Sequence, residues 1–352
     1  MRIQKEEQVN KLYRYIGNKT RVLDQLIPIL TDGLSPGARV ADLMCGTAAV
    51  SESLRLAGMK VFAADIMTYA TYHATVRLTI PEAPRFETLG IPYRGVVEHL
   101  NALSPDESGY FVREYAPGGS PAMGQKPRAY LSDSNAAKLS AISDEISNWK
   151  SSHRITATEN QLLRHDLVLA VNRIANISGT YGHHRSILSG GALKDLKLSQ
   201  SIFSLGNSEG HQVRLGKAED LAQEITADLV YLDPPYKKRQ YAANYHLLET
   251  VAVGDKPETH GVSGLRDWWP QYSDFCSKLK IHDALAAIVN GVEAPRIMMS
   301  YSEDGLISQQ DMIESLSRFG EVKLHEFPHV RFRSNASALK RDLKEFVFEV
   351  VR

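Results

Sequence analysis

Residues Ala227 to Tyr245 read ADLVYLDPPYKKRQYAANY, and the way this stretch folds decides how the remainder is organised. Leu229-Val230-Tyr231-Leu232 has the length and branching of a buried strand. Asp233-Pro234-Pro235-Tyr236 ends it abruptly, because two prolines cannot continue a hydrogen-bonded ladder and the chain must turn. In open α/β sheets, ligands bind at the carboxyl ends of the strands. A carboxylate, a rigid turn and an aromatic ring are therefore presented together at the expected active edge. The set suits methylation of an exocyclic amino group, whose lone pair is delocalised into its ring and is a poor nucleophile. Asp233 and the backbone carbonyl of Pro234 would each accept one amine hydrogen, favouring a tetrahedral nitrogen aimed at an electrophilic methyl group. Pro235 would hold that carbonyl in place and Tyr236 would stack on the base. The plain alternative is an ordinary Pro-Pro turn with Asp as turn former.

The bulk properties are compatible with such an enzyme. A chain of 352 residues suits one α/β domain carrying an insertion, and its 43% hydrophobic and 23% charged residues are ordinary for a globular protein. No apolar run approaches the ~18 residues of a membrane span. The start, MRIQKEEQVNKLYRYIG, lacks a signal-peptide pattern. The two cysteines, Cys45 and Cys276, sit in different motifs, which fits a reduced, cytoplasmic setting. The twelve histidines are scattered and no metal set is expected. With 41 basic and 41 acidic residues the formal charge is zero, so any basic surface for nucleic acid has to be local.

Residues 38–66 form the clearest β-α-β unit. Arg39 to Leu43 reads as a strand, Met44 to Ala48 as a tight turn, Ala49 to Ala57 as a helix and Lys60 to Ala64 as a second strand closed by Asp65. An acid closing the second strand is what a ribose-binding α/β fold needs. Upstream, Gly17 and Asn18 precede an amphipathic helix with Leu23, Leu26, Ile27 and Leu30 on one face, which places Lys19 at a helix start where free amides favour an anion. From about residue 81 to 204 the sheet rhythm disappears, and two helices are expected there, Ser134 to Lys150 and Thr158 to Ile177. The strands resume with His211 to Leu215, followed by a 216–221 loop. Arg296 to Tyr301, Glu321 to Glu326 and Lys344 to Val351 are the remaining strands, with a helix from Gln309 to Phe319.

Asp233-Pro234-Pro235-Tyr236 resembles motif IV of the amino-methylating DNA methyltransferases, which use S-adenosylmethionine. Tyr15-Ile16-Gly17-Asn18-Lys19 is similar to their motif X, whose turn lines the methionine end of the cofactor, and the Asp42 to Thr47 stretch is similar to motif I. Ala48 stands where a second glycine is usual. The resemblance implies that Tyr15, Gly17, Lys19, Asp42, Cys45, Gly46, Thr47, Asp65 and Asp233 bind the cofactor, with Asp42 near its amino group and Asp65 on its ribose. An acidic residue in the 216–221 loop would meet its adenine. The usual position falls at Lys217, leaving Asp220 as the substitute.

The detail and motif order resemble the D12 class and its FokI-type branch. That implies a mixed seven-stranded Rossmann-like sheet, a catalytic domain over residues 1–80 and 205–352, and a helical target-recognition insertion over 81–204. Tyr181, His183, Arg185, Lys237, Lys238, Arg239, Tyr241, Asn244, Arg331 and Arg333 are the implied contacts to double-stranded DNA. The implied reaction is site-specific N6 methylation of a flipped-out adenine, either in a restriction-modification system with a cognate restriction endonuclease as partner or in a phage or orphan modification role. N4-cytosine or RNA amino-methylation, and an inactive DNA-binding module on the same fold, are the alternatives.

Overall fold

The computed structural model describes residues 15–122, 125–203, 208–330 and 342–352 of the chain. Its residues group into two compact units. Among the described residues, one comprises 16–79, 208–241, 271–330 and 342–352; the other comprises 15, 80–122, 125–203 and 242–270.

The first unit is built on a seven-stranded sheet. In chain order its strands are β1 Arg39–Asp42, β2 Lys60–Asp65, β3 Gln212–Leu215, β4 Leu229–Leu232, β5 Arg296–Ser302, β6 Glu321–Val330 and β7 Asp342–Val351. They lie in the order β3-β2-β1-β4-β5-β7-β6. The first five are mutually parallel, while β7 runs antiparallel between β5 and β6. Progress along the sheet reverses between β1 and β4, and at such a switch point a crevice opens beyond the carboxyl ends.

Successive residues of a strand point to opposite faces, and here both faces are apolar. Ala41, Val230, Leu232, Ile297, Met299 and Phe348 pack with Leu285 and Ile288 of helix Ile281–Gly291. Val40, Val61, Leu229, Tyr231, Met298 and Val347 pack with Leu26 and Leu30 of helix Leu23–Thr31 and Leu54 of helix Ala49–Leu56. Burial on both faces is why the strands read as continuous apolar runs rather than alternating ones. Two segments differ from the sequence expectation. Ala218–Leu221 closes into a helical turn where a loop is expected. Cross-strand pairing with β7 carries β6 on to Val330, well past Glu326.

The second unit is mainly helical. Helix Asp133–Ser151 begins at a Ser132 cap, and helix Ala157–Ile174 begins at a capping box formed by Thr156 and Glu159. Arg164, buried on the latter, donates to the Ser143 and Ser147 hydroxyls and to the Val251 carbonyl, joining three helices at one guanidinium. Arg128, also fully buried, donates to the carbonyls of Glu114, Gly261 and Val262 and to Thr259 Oγ1, with Glu114 as its counter-ion. Residues 242–270, assigned from sequence to the catalytic domain, group with this helical unit.

Candidate active site

The carboxyl edge of the sheet collects the chemistry. Asp42 ends β1, Asp65 ends β2, and Asp233 follows β4 directly. Glu345 lies on β7 opposite Ser302 of β5, at that strand's carboxyl end. Sequence reasoning misses Glu345: it is one of two glutamates in the stretch LKEFVFEVV and carries no motif, and only its buried position on an inner strand is a signal.

Lys19 opens the helical turn Lys19–Arg21, and its side chain turns inward onto two carboxylates. Its side chain is 4% exposed, with Nζ 2.6 Å from Asp233 Oδ1 and 3.2 Å from Glu345 Oε1. It also donates to the Gly17 carbonyl at 3.3 Å. Burial pulls the Lys19 pKa down, yet the attraction of Asp233 and Glu345 carries it well above the ordinary lysine value. Burial raises the Glu345 carboxyl, with Lys19 opposing the rise. The ammonium is therefore held inside the catalytic cluster by two carboxylates.

Motif X is packed onto motif IV. Gly17 has φ +77°, and a Cβ there would lie 3.2 Å from Tyr241 Oη and 3.8 Å from Tyr236 Cε1, so only glycine fits without displacement. Tyr241 Oη donates to the Ile16 carbonyl at 3.0 Å, and its ring is half-buried. Tyr236, half-buried, meets Tyr301 edge-on with ring centroids 6.4 Å apart. Its carbonyl accepts from Leu306 N–H at 3.0 Å.

The motif I turn is tied to β2. Asp65 Oδ2 accepts from Gly46 N–H at 2.8 Å, and Oδ1 accepts from Met67 N–H at 2.9 Å. Gly46 and Ala48 both have positive φ, 51° and 58°, so alanine adopts the left-handed conformation that glycine would take more easily. Cys45 N–H donates to the Ala64 carbonyl, and burial, reinforced by Asp65 and Asp42, holds its thiol well above the usual range and so neutral. Thr47 is half-buried beside it.

Asp42 Oδ2 accepts from the Ser51 hydroxyl at 2.6 Å, whereas Oδ1 is buried with no hydrogen-bond partner among the described residues. Buried carboxylate oxygens are normally satisfied. An unmatched acceptor beside a turn with two positive φ values fits the ammonium end of S-adenosylmethionine. Asp220 is exposed on the short helix Ala218–Leu221.

The remaining candidates divide. Lys238 and Arg239 are exposed, whereas Lys237 is committed to Asp304 at 2.8 Å, so its charge is spent within the protein. In the helical unit His183 and Arg185 are exposed. Tyr181 is fully buried: its hydroxyl donates to Asn172 Oδ1, and its carbonyl accepts from Tyr130 Oη at 2.7 Å. Asn244 is buried as well, with Thr180 Oγ1 donating to its side chain and its carbonyl accepting from Tyr181 N–H. Both are therefore framework residues, and their expected contact with DNA is corrected. Tyr15 stacks on Tyr245 with centroids 4.7 Å apart. Arg331 and Arg333 lie outside the described residues.

The family model of the D12 class N6 adenine-specific DNA methyltransferases matches residues 15–314. Modification methylase StsI of Streptococcus sanguinis is 30% identical over 96% of this chain and 52% of its own length. Type II methyltransferase M.NlaIII of Neisseria lactamica is 30% identical over 95% and 97%, and M.FokI of Planomicrobium okeanokoites is 29% identical over 96% and 52%. The chain thus spans about half the length of the StsI and FokI proteins and nearly all of the NlaIII protein. On the strength of a match that runs from the motif X turn through β5, the chain belongs to the D12 class of N6 adenine-specific DNA methyltransferases.

Proposed function

We propose that the chain is a site-specific DNA methyltransferase that places a methyl group on N6 of an adenine in duplex DNA. The observation that carries this reading is the seat of Asp233. Its carboxylate follows β4, the strand beside β1, and β1 ends in Asp42 with its unmatched buried oxygen. An acceptor for an amine substrate and an acceptor for the donor's ammonium thus stand at the same edge of adjacent strands.

S-adenosylmethionine, the methyl donor of this family, supplies an electrophilic methyl group and leaves as a neutral thioether. Asp42 would hold its amino group, with Gly46 and Asp65 beside its ribose. Asp233 and the Pro234 carbonyl each accept one N6 hydrogen, turning the nitrogen lone pair out of the ring plane and toward the methyl carbon. That lone pair forms the new N–C bond while the C–S pair stays on sulfur, and N6 then releases one proton to water. Asp233 orients rather than deprotonates, since its Oδ1 already accepts from Lys19. Tyr236 supports the base, which has left the stack. Lys238, Arg239, His183 and Arg185 are the exposed candidates for phosphate contact. The helical unit would read the target. Three relatives bear the name type II methyltransferase, which supports a DNA-modification role.

The test uses labelled donor, unmethylated genomic DNA and identification of the modified nucleoside. N6-methyladenine is expected. Asp233→Ala should lose at least ~10³-fold in transfer while binding the donor normally, and retained turnover would overturn the role of Asp233. N4-methylcytosine would keep the chemistry and replace the base. Donor binding without incorporation would move the substrate to RNA or protein amide, or leave an inactive DNA-binding module.

A further inference from the structure

We infer that Glu345 is a positioning residue of the methyl-transfer centre, acting through Lys19 to keep Asp233 available to the substrate amine. The inference rests on reading Asp233 as the acceptor of N6.

A single Lys19–Asp233 pair would be closed and neutral. At 2.6 Å the ammonium draws electron density from Oδ1, and a carboxylate so engaged is a weaker acceptor for a second donor. Glu345 alters that balance. Its Oε1 lies 3.2 Å from the same ammonium, so one cation serves two carboxyl groups, and with both ionised the trio carries a net charge of minus one. N6 gains positive charge as it bonds the methyl carbon. A fixed negative cluster in a buried setting favours that charge without having to reorganise.

The packing gives no other reason for an acid at this position. Glu345 is 2% exposed, and among the described residues no group other than the Lys19 ammonium reaches Oε1. Lys19 is already neutralised by Asp233, so Glu345 is surplus to it as a structural counter-ion. A buried charge held only by a shared cation is costly, and a neutral side chain of the same shape would be tolerated at least as well. The residue also sits on β7, a strand paired on both sides, which fixes its position relative to β5.

A double-mutant cycle tests this, using Glu345→Gln, Lys19→Met and the pair. The single-turnover transfer rate is read at saturating donor and DNA, beside donor affinity, DNA affinity and thermal midpoint. Glu345→Gln should slow transfer by about 10- to 100-fold, change both affinities less than about threefold, and leave the midpoint unchanged or higher. In the Lys19→Met background the same substitution should have no further effect on rate, because the residue it acts through is gone. Glu345→Asp should recover part of the rate. If Lys19→Met does not fold, the contrast between Gln and Asp at constant midpoint carries the test. A wild-type rate in Glu345→Gln, or losses that add across the cycle and follow the folded fraction, would sink the inference. Asp233→Ala, measured in parallel, separates the two ideas. If it stays active, the acceptor reading falls and this inference with it; if it is dead while Glu345→Gln is fully active, only the inference falls.

Discussion

Burial pushes the Asp42 carboxyl up to about 7 despite the Ser51 hydrogen bond, with Asp233 and Asp65 adding to the rise. A carboxyl raised above its unfolded value of 3.8 holds more protons in the native state between those two pH values. Folding stability therefore falls as pH climbs through that window, and the loss is complete above it. Asp42→Asn, neutral throughout, should melt at a higher temperature than the parent at pH 8 and at nearly the same temperature at pH 4, in the absence of donor. The same change should weaken donor binding about 10- to 100-fold through loss of a charge-assisted hydrogen bond, as titration calorimetry would show. Unchanged affinity would move the donor's ammonium elsewhere. Asp42, Asp65 and Asp233 are legible in the sequence because each ends or follows an apolar run, and the end of a strand is a local property. Lys19 is not, because its partner Asp233 stands 214 residues away and only the sheet order brings them together.

Among the elements, the motif I turn shows how a departure from pattern is absorbed. Ala48 keeps the left-handed backbone at φ 58° and is fully buried. The ~1–2 kcal/mol of strain is partly offset by the buried methyl, worth about 0.8 kcal/mol. The substitution thus leaves the turn's path intact. In the helical unit, the 259–265 turn depends on Arg128, whose guanidinium serves Thr259 and two carbonyls of that turn as well as Glu114. Arg128→Ala should cost about 3–5 kcal/mol in denaturant unfolding, because three carbonyls and Thr259 lose their donor and Glu114 keeps only the half-exposed Arg113. A loss under about 1 kcal/mol would mean that water replaces the guanidinium. Neither Arg128 nor the burial of Tyr181 and Asn244 can be read from composition. A glycine-punctuated turn beside histidines and arginine looks like a surface contact whether its aromatic ring points outward or into the core.

Over the whole molecule, 41 acidic residues balance 41 basic ones, so no long-range field draws the protein to nucleic acid. Salt-dependent affinity has to come from a few exposed cations. Lys238→Ala and Arg239→Ala should each weaken binding of all duplex sequences alike and lower the slope of log affinity against log salt by about one. Lys237→Ala, whose cation is held by Asp304, should leave that slope nearly unchanged. Slopes equal to the parent's for all three variants would remove the motif IV loop from the DNA surface.

The sheet joins distant parts of the chain: Arg39 of β1 and Asp228, just before β4, are hydrogen-bonded although 189 residues apart. Synthesis at about 5–20 residues per second puts roughly 10–40 s between the emergence of β1 and that of its inner neighbour. During that interval β1 and β2 can pair with each other, but the other edge of β1 stays open, and open edges recruit foreign strands. The yield of active protein should therefore depend on growth temperature and chaperone supply during translation more than on the stability of the finished fold.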